Sequence, residues 1–297
     1  MELCIDFGGT EIKLAVTVDH RVVASRAAAV RSGAEDLTTA ATEARALLAR
    51  TGARPDAVGI AVPGVVDPAT GRMVHANAKY DHLRDFDLSA WSRHEFGVGA
   101  AVENDARAAL IGETTTGSAA ADRDVVLVTL GTGIGTAAMI DGIALRGQSG
   151  HAGILGGHVT VDLNGPVCPC GNIGCAEACA SAWVLRESTD LSMRDLFTTA
   201  PDDIDRDRIR NRFLHVWGAT VVTLVHVYDP AVVVLSGGVL RAGDAVREPL
   251  EAYVRSHAWP SIRTPRFVVP SEPELSVVRG LSVLARSRGN RHTQEEQ

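Results

Sequence analysis

An apolar strand that breaks into glycines and then resumes as a second strand occurs twice in this chain, and that repeat narrows the folds open to it. Leu3–Phe7 reads as a buried strand, Gly8-Gly9-Thr10 as a tight turn and Ile12–Val18 as the returning strand. The unit recurs at Val125–Ile140, where the strand Asp124–Leu130 runs into Gly131-Thr132-Gly133-Ile134-Gly135 and a further strand through Ala137–Asp141. Glycine at a strand end lets backbone N–H groups approach phosphate oxygens with no Cβ between them, although the same residues also suit a plain hairpin. The second run departs from a dinucleotide fingerprint, because a strand and not a helix follows it. A third turn, Ser236-Gly237-Gly238, ends the β-branched strand Ala231–Leu235 and suits close approach of an adenosine. Two related halves, each offering a glycine turn to a shared cleft, predict a duplicated nucleotide-binding α/β architecture.

The rest of the chain fits that plan. Arg21–Ala27 reads as a third strand after the turn at Asp19-His20, and Glu35–Arg50 as an amphipathic helix stopped by Gly52. Ala57–Val62 is a strand ended by Pro63-Gly64, Ala100–Val102 a short strand, and Ala106–Glu113 a helix. Arg208–Tyr228 and Ser276–Arg286 are predicted helices, Arg288–Gln297 a frayed polar tail, and Thr189–Asp207 shows no clean period. A length of 297 residues suits two domains. With 45% hydrophobic and 22% charged residues the chain reads as a soluble globular protein. Its formal charge of −7 argues against nucleic acid as the main partner. No apolar run approaches the roughly 18–20 residues of a membrane helix. The start Met1-Glu2-Leu3-Cys4-Ile5-Asp6 lacks a signal-peptide pattern, so a cytoplasmic protein is expected.

Three motifs carry chemistry. Asp6, at the end of the first strand, is placed to hold a Mg²⁺ ion against phosphates, or is a chance acid beside a hairpin. Glu103-Asn104-Asp105-Ala106-Arg107 puts a carboxylate where a strand yields to a helix. Asp105 there can take the proton of an attacking hydroxyl while Asn104 bonds its neighbours; alternatively the pair simply caps the helix. His158 with Cys168-Pro169-Cys170-Gly171-Asn172-Ile173-Gly174-Cys175 supplies one imidazole and three soft thiolates, a closed tetrahedral set that predicts structural zinc. Cys4 and Cys179 fall outside it and read as packed thiols; among the remaining histidines His151 is the one near the expected cleft.

Taken in order, these segments resemble the ROK family of sugar kinases and repressors. Asp6–Thr10 is similar to its first phosphate motif and Gly59-Ile60-Ala61-Val62-Pro63-Gly64-Val65-Val66-Asp67 to its sugar-side turn. Val102–Ala106 is similar to the catalytic segment, Leu130–Gly135 to the second phosphate motif, and Gly157-His158 with Cys168–Glu177 to the zinc loop. The resemblance implies an actin-like ATPase (ribonuclease H-like) fold: two α/β domains with a duplicated βββαβαβα core and an interdomain cleft. It implies domains at 1–112 plus 276–297 and at 113–275, and a homodimer. It further implies ATP with Mg²⁺, structural zinc, and phosphorylation of a hexose or amino-hexose at the 6-hydroxyl. Asp105 would be the general base. Asp6, Gly8, Gly9, Thr10, Lys13, Gly131, Thr132, Gly133, Gly237 and Gly238 would bind the nucleotide. Gly64, Asn104, Asp105, His158 and Glu177 would contact the sugar, while His158, Cys168, Cys170 and Cys175 hold the metal.

Two departures bear on the substrate. Where family kinases carry Ala-Gly-Glu-x-Gly-His, this chain has Ala152-Gly153-Ile154-Leu155-Gly156-Gly157-His158, one residue longer and without the acid. The usual Asn-Leu-x-x-Trp becomes Asn77-Ala78-Lys79-Tyr80. Glucose is then the default substrate, with N-acetylated, 3-amino (kanosamine) or epimeric hexoses open. The alternatives are a sugar-sensing transcriptional regulator, whose winged helix-turn-helix would have to precede Asp6, and a catalytically silent sugar-binding relative, against which the intact Asp6 and Asp105 argue.

Overall fold

The computed structural model describes residues 1–52, 54–76, 78–198 and 203–295. Strand β1 (Glu2–Phe7) is buried along its whole length, its apolar Leu3, Cys4, Ile5 and Phe7 together with the carboxylates of Glu2 and Asp6. It pairs antiparallel with β2 (Glu11–Val18), and β2 pairs antiparallel with β3 (Arg21–Ala29). Helix α1 (Glu35–Thr51) follows and ends at Gly52, whose φ of 68° supplies the left-handed cap that glycine adopts without strain. Strand β4 (Ala57–Val62) then runs parallel to β1. The short hairpin β5 (Gly64–Val66) and β6 (Met73–Ala76) and helix α2 (Leu88–Phe96) lead to β7 (Ala100–Asn104), parallel to β4, and to helix α3 (Asp105–Thr115).

The second half repeats the first. Strands β8 (Val125–Leu130), β9 (Ile134–Ile140) and β10 (Ile143–Ala144) form an antiparallel set. Helices α4 (Ala176–Cys179), α5 (Ala182–Ser188), α6 (Met193–Phe197) and α7 (Ile204–Tyr228) precede β11 (Val232–Ser236), parallel to β8. Helix α8 (Asp244–His257), β12 (Arg266–Val268) and helix α9 (Ser276–Glu295) complete the chain. The sheet orders are β3-β2-β1-β4-β7 and β10-β9-β8-β11-β12, the same order strand for strand. This duplicated βββαβαβα arrangement is the actin-like ATPase fold.

The chain divides into one unit of residues 1–120, 146–152 and 274–297 and another of 121–145 and 153–273. The expected bounds at 112 and 276 therefore shift, and residues 146–152 group with the first unit instead of the second. Two arginines bond that segment to the first unit. Arg107 on α3 donates to the carbonyls of Gly150 (2.8 Å) and Ala152 (3.1 Å), and Arg146 donates to Glu103 Oε2 at 2.6 Å. The first core sets Leu3, Ile5, Phe7, Val58 and Ile60 against Ala40, Ala44 and Leu47 of α1. The second sets Val126, Val128, Val233 and Leu235 against Trp217, Val221 and Leu224 of α7. The Trp217 indole N–H donates to Ala180 O at 2.7 Å, so its burial leaves no orphan donor.

The sequence-based elements need three adjustments. The second glycine turn is shorter, because β9 already begins at Ile134. The tail expected to fray continues α9 as far as Glu295, with 296–297 outside the described residues. Within Thr189–Asp207 lie α6 and the start of α7; residues 199–202 are outside the described set. Among the described residues no helix is long and apolar enough to cross a membrane.

Helix α3, which carries Asp105, is seated by backbone-to-backbone contact with α9. A Cβ at Gly280 would lie 1.8 Å from Ala108 O, and one at Gly112 2.1 Å from Ser276 O. Neither neighbour can rotate aside, so the helices must separate to admit a methyl group. Gly280→Ala is expected to destabilise the protein by about 2–3 kcal/mol, as overpacked cores do; a urea midpoint equal to that of the unsubstituted chain would contradict this close approach.

Candidate active site

Asn104 and Asp105 divide two tasks that the sequence left undecided. Asn104 is the helix cap: its Oδ1 accepts from Arg107 N at 3.0 Å. Asp105 is the first residue of α3. Its Oδ1 accepts from Ala106 N (2.8 Å) and from Asn104 Nδ2 (3.0 Å), and neither bond engages Oδ2. Burial raises the Asp105 carboxyl above the usual carboxylate range, and the hydrogen bonds from Ala106 and Asn104 oppose that shift. Asn104 Nδ2 also reaches Gly64 O at 3.1 Å. Gly64 itself is required by packing, since a Cβ there would sit 2.3 Å from His75 O.

Asp6 lies at the end of β1 with Lys13 opposite it on β2. It is 6% exposed, and its Oδ1 is buried without a hydrogen-bond partner. Burial first, and the charge of Asp105 second, push its pKa up to about 7, with Lys13 acting the other way. A buried carboxylate oxygen with nothing to bond is a donor set that fits a hard cation such as Mg²⁺. The turn beyond it is braced from a distant segment: Tyr80 Oη donates to Gly8 O at 2.7 Å and Lys79 Nζ to Gly9 O at 2.9 Å. Both lie in the segment Asn77-Ala78-Lys79-Tyr80, whose Asn77 is outside the described residues.

The glycines of the three turns sort by what the protein needs. A Cβ at Gly8 would meet Glu11 O at 2.8 Å, one at Gly133 would meet Glu177 Oε2 at 2.4 Å, and one at Gly237 would meet Leu130 O at 2.3 Å. Those three serve the turns themselves. At Gly9, Gly131 and Gly238 a Cβ would touch nothing within 4 Å, and none of them has a positive φ. Neither packing nor backbone conformation requires glycine there, whereas close approach of a nucleotide would, so the turns fit one. Thr10 follows Gly9 and is exposed; the Thr132 side of the second turn is likewise exposed.

His158, in a short 3₁₀ turn at Gly156–His158, joins Cys168, Cys170 and Cys175, whose ligating atoms lie within 4.8 Å of one another. Cys168 Sγ is 3.6 Å from His158 Nδ1 and Cys170 Sγ is 3.6 Å from Cys175 Sγ. Zn–S bonds of about 2.3 Å in a tetrahedron separate ligands by roughly this distance. The four residues are therefore compatible with structural zinc, bound through Nδ1, which leaves His158 Nε2 directed elsewhere. Glu177, two residues past Cys175, has its Oε2 engaged by Ile134 N at 2.8 Å. Cys4 and Cys179 are buried apart from the cluster.

Thus Asp6, Gly8, Gly9, Thr10, Lys13, Gly64, Asn104 and Asp105 belong to the first unit, with His151, which is exposed and 3.0 Å from Ser149 Oγ through Nδ1. Gly131, Thr132, Gly133, Gly237, Gly238, His158, Glu177 and the three cysteines belong to the second. Sequence reasoning passed over Glu103 and Arg107, which flank the Asn104–Asp105 pair: Arg107 Nη1 donates to Glu103 Oε1 at 2.7 Å with both side chains buried. Their i,i+4 spacing was the available signal. Leu155, one of the two residues at the position of the family's glutamate, is 42% exposed.

Comparison with known proteins agrees with this layout. The ROK family model matches residues 2–288. A glucokinase of Thermotoga maritima is 30% identical over 281 residues, covering 86% of this chain and 88% of that protein. A xylose repressor of Bacillus spizizenii is 29% identical over 220 residues, which span 72% of this chain and 56% of the repressor. The crystal structure of a ROK hexokinase from Thermus thermophilus superposes with a TM-score of 0.81 at 27% identity, covering 97% of this chain and 99% of that one. With its duplicated sheets, paired glycine turns and Cys₃His cluster, the chain belongs to the ROK family.

Proposed function

We propose that this ATP-dependent sugar kinase of the ROK family phosphorylates the 6-hydroxyl of a hexose or amino-hexose, with Asp105 as the general base. The observation that carries the proposal is the Asp105 carboxylate: Oδ1 is fixed by Ala106 N and Asn104 Nδ2 while Oδ2 is outside both bonds. In the reaction the sugar hydroxyl gives its proton to Asp105 as its oxygen bonds to the γ-phosphorus, and the bond to the β–γ bridging oxygen breaks to release ADP. Raising the carboxyl above the usual range brings its basicity closer to that of a working base near neutral pH. Asp6, with Lys13 across the hairpin, would hold Mg²⁺, which when bound neutralises phosphate charge. The turns at Gly8–Thr10 and Gly131–Gly133 would receive the phosphates, and Gly237-Gly238 the adenosine. Asn104, His158 through Nε2, and Glu177 through Oε1 would contact sugar hydroxyls, with Gly64 beside Asn104.

The missing acid at Ile154 or Leu155 bears on which sugar. A site that buries a carboxylate for one hydroxyl rejects analogues lacking that hydroxyl, because the carboxylate is left unpaired. An aliphatic residue imposes no such penalty. The expected consequence is tolerance of a substituted or epimeric position on that edge, with glucose as the reference substrate. The close relationship to a glucokinase supports the reaction class.

Four outcomes test this reading. With Mg-ATP and a panel of hexoses, the protein should release ADP and yield a hexose 6-phosphate by mass. Asp105→Asn should lower that turnover about a thousandfold, within the usual range for a general base, while retaining sugar binding; near-normal turnover would remove Asp105 from the role. For the metal, elemental analysis of protein purified without chelator should find about one zinc per chain. Cys170→Ser should lose it, and a zinc-free unsubstituted protein would refute the ligand set.

The fourth outcome concerns Asp6. Its folded pKa of about 7 lies above its unfolded value of roughly 3.9. The folded state thus favours the protonated form, and the associated stability is present below the unfolded value and lost as the pH rises through about 7. In metal-free buffer at about pH 8, Asp6→Asn should melt above the unsubstituted chain, with the gap closing toward about pH 4. A gap that does not change with pH would show that Asp6 is not the group being titrated.

A further inference from the structure

The second glycine turn is held by the segment that follows the cysteine cluster, and the residue that holds it is Glu177. Four backbone N–H groups lie between Gly131 and Ile134. Gly131 N donates within the turn to Gly133 O at 3.0 Å, and Ile134 N donates to Glu177 Oε2 at 2.8 Å. Two more bonds fix the turn from the same side: Ala182 N donates to Gly131 O at 3.1 Å and Trp183 N to Thr132 O at 3.3 Å. The N–H groups of Thr132 and Gly133 are left without a partner among the described residues. Adjacent unpaired N–H groups on a tight turn make a concave anion site. The carboxylate also explains Gly133, where a Cβ would stand 2.4 Å from Glu177 Oε2.

We infer that Glu177 is a positioning residue for the nucleotide: by accepting from Ile134 N it sets the turn so that the Thr132 and Gly133 N–H groups receive phosphate. The resemblance to ROK kinases implies only sugar contact for this side chain, and that role uses the other oxygen. The inference rests on reading Gly131–Gly133 as a phosphate turn. It depends on the reach and acceptor character of the side chain, not on its charge. Glutamine keeps an acceptor at the same distance, aspartate keeps the charge but falls one methylene short, and alanine keeps neither.

The test is calorimetric titration of Mg-ADP, with no sugar present, into the full chain and its Glu177→Gln, Glu177→Asp and Glu177→Ala variants, matched for zinc content. Losing the one hydrogen bond that orders the turn should weaken ADP about tenfold in the Asp and Ala variants, with Gln within about threefold of the unsubstituted protein. Should Ala fail to fold, the contrast of Asp with Gln still decides. Weak binding by Gln with normal binding by Asp would assign the effect to charge and overturn the inference. Unchanged ADP binding in all variants, with only the sugar KM altered, would leave Glu177 a sugar ligand alone. Failure of the unsubstituted chain to bind Mg-ADP would instead sink the kinase reading, and this inference with it.

Discussion

The first unit holds two poorly hydrated carboxylates, one buried and one half-buried, and much of its construction follows from that. Asp6 and Asp105 each lose hydration, and the charge of one raises the pKa of the other. A fold selected for stability alone would pair or replace them, since an unpaired buried oxygen such as Asp6 Oδ1 costs free energy. The structure moderates the cost without removing it. Lys13 stands opposite Asp6 across β1 and β2. Asp105 occupies the first turn of α3, where the helix dipole favours negative charge, and takes two hydrogen bonds on one oxygen. What is left over is a pair of acids whose desolvation the surrounding groups do not fully offset.

Glu103 shows the opposite treatment only two residues from Asp105. Both of its oxygens are spoken for, by Arg107 at 2.7 Å and Arg146 at 2.6 Å, and Arg107 is itself almost fully buried. Such a pair adds little net stability over an apolar equivalent, but removing one partner strands the other. Its value here is positional. The same guanidinium bonds the carbonyls on either side of His151, so the 146–152 segment is tied to the helix that begins at Asp105. Close packing of α3 on α9 through Gly112 and Gly280 fixes the other side of that helix.

Much of this plan was legible from residues near one another in sequence. The strand–glycine–strand repeat gave the two hairpins because apolar runs and glycine act locally, and the cysteines declared themselves by spacing. The helix cap was ambiguous by one residue: Asn and Asp are both good caps, and only the backbone of Asn104 and Asp105 tells them apart. Contacts set by tertiary register were not legible. Nothing in the sequence near Gly8 and Gly9 announces that Tyr80 and Lys79 will bond their carbonyls from about seventy residues away. Nor does the pattern around Glu177 mark Ile134 N, forty-three residues earlier, as its partner. The polar C-terminal end of α9 misled for a different reason: weak apolar periodicity does not prevent a helix already nucleated by packing from continuing.

The loop from His158 to Cys175 cannot owe its shape to hydrophobic burial. Leu163 is 87% exposed, Val167 73% and Ile173 49%, while the buried cluster there is only Cys168, Cys175 and Ala178 with Trp183 against it. Two isolated bridges, Thr160 to Cys175 and Val167 to Ile173, add little regular structure. A segment with so little core must draw its folding free energy from elsewhere, and a metal on three thiolates and an imidazole can supply it, because binding and ordering are then one event. That free energy would be delivered where it matters: Cys175 leads directly into α4, α4 carries Glu177, and Glu177 holds the second glycine turn. A closed, non-reacting metal site would thus shape phosphate recognition without touching phosphate.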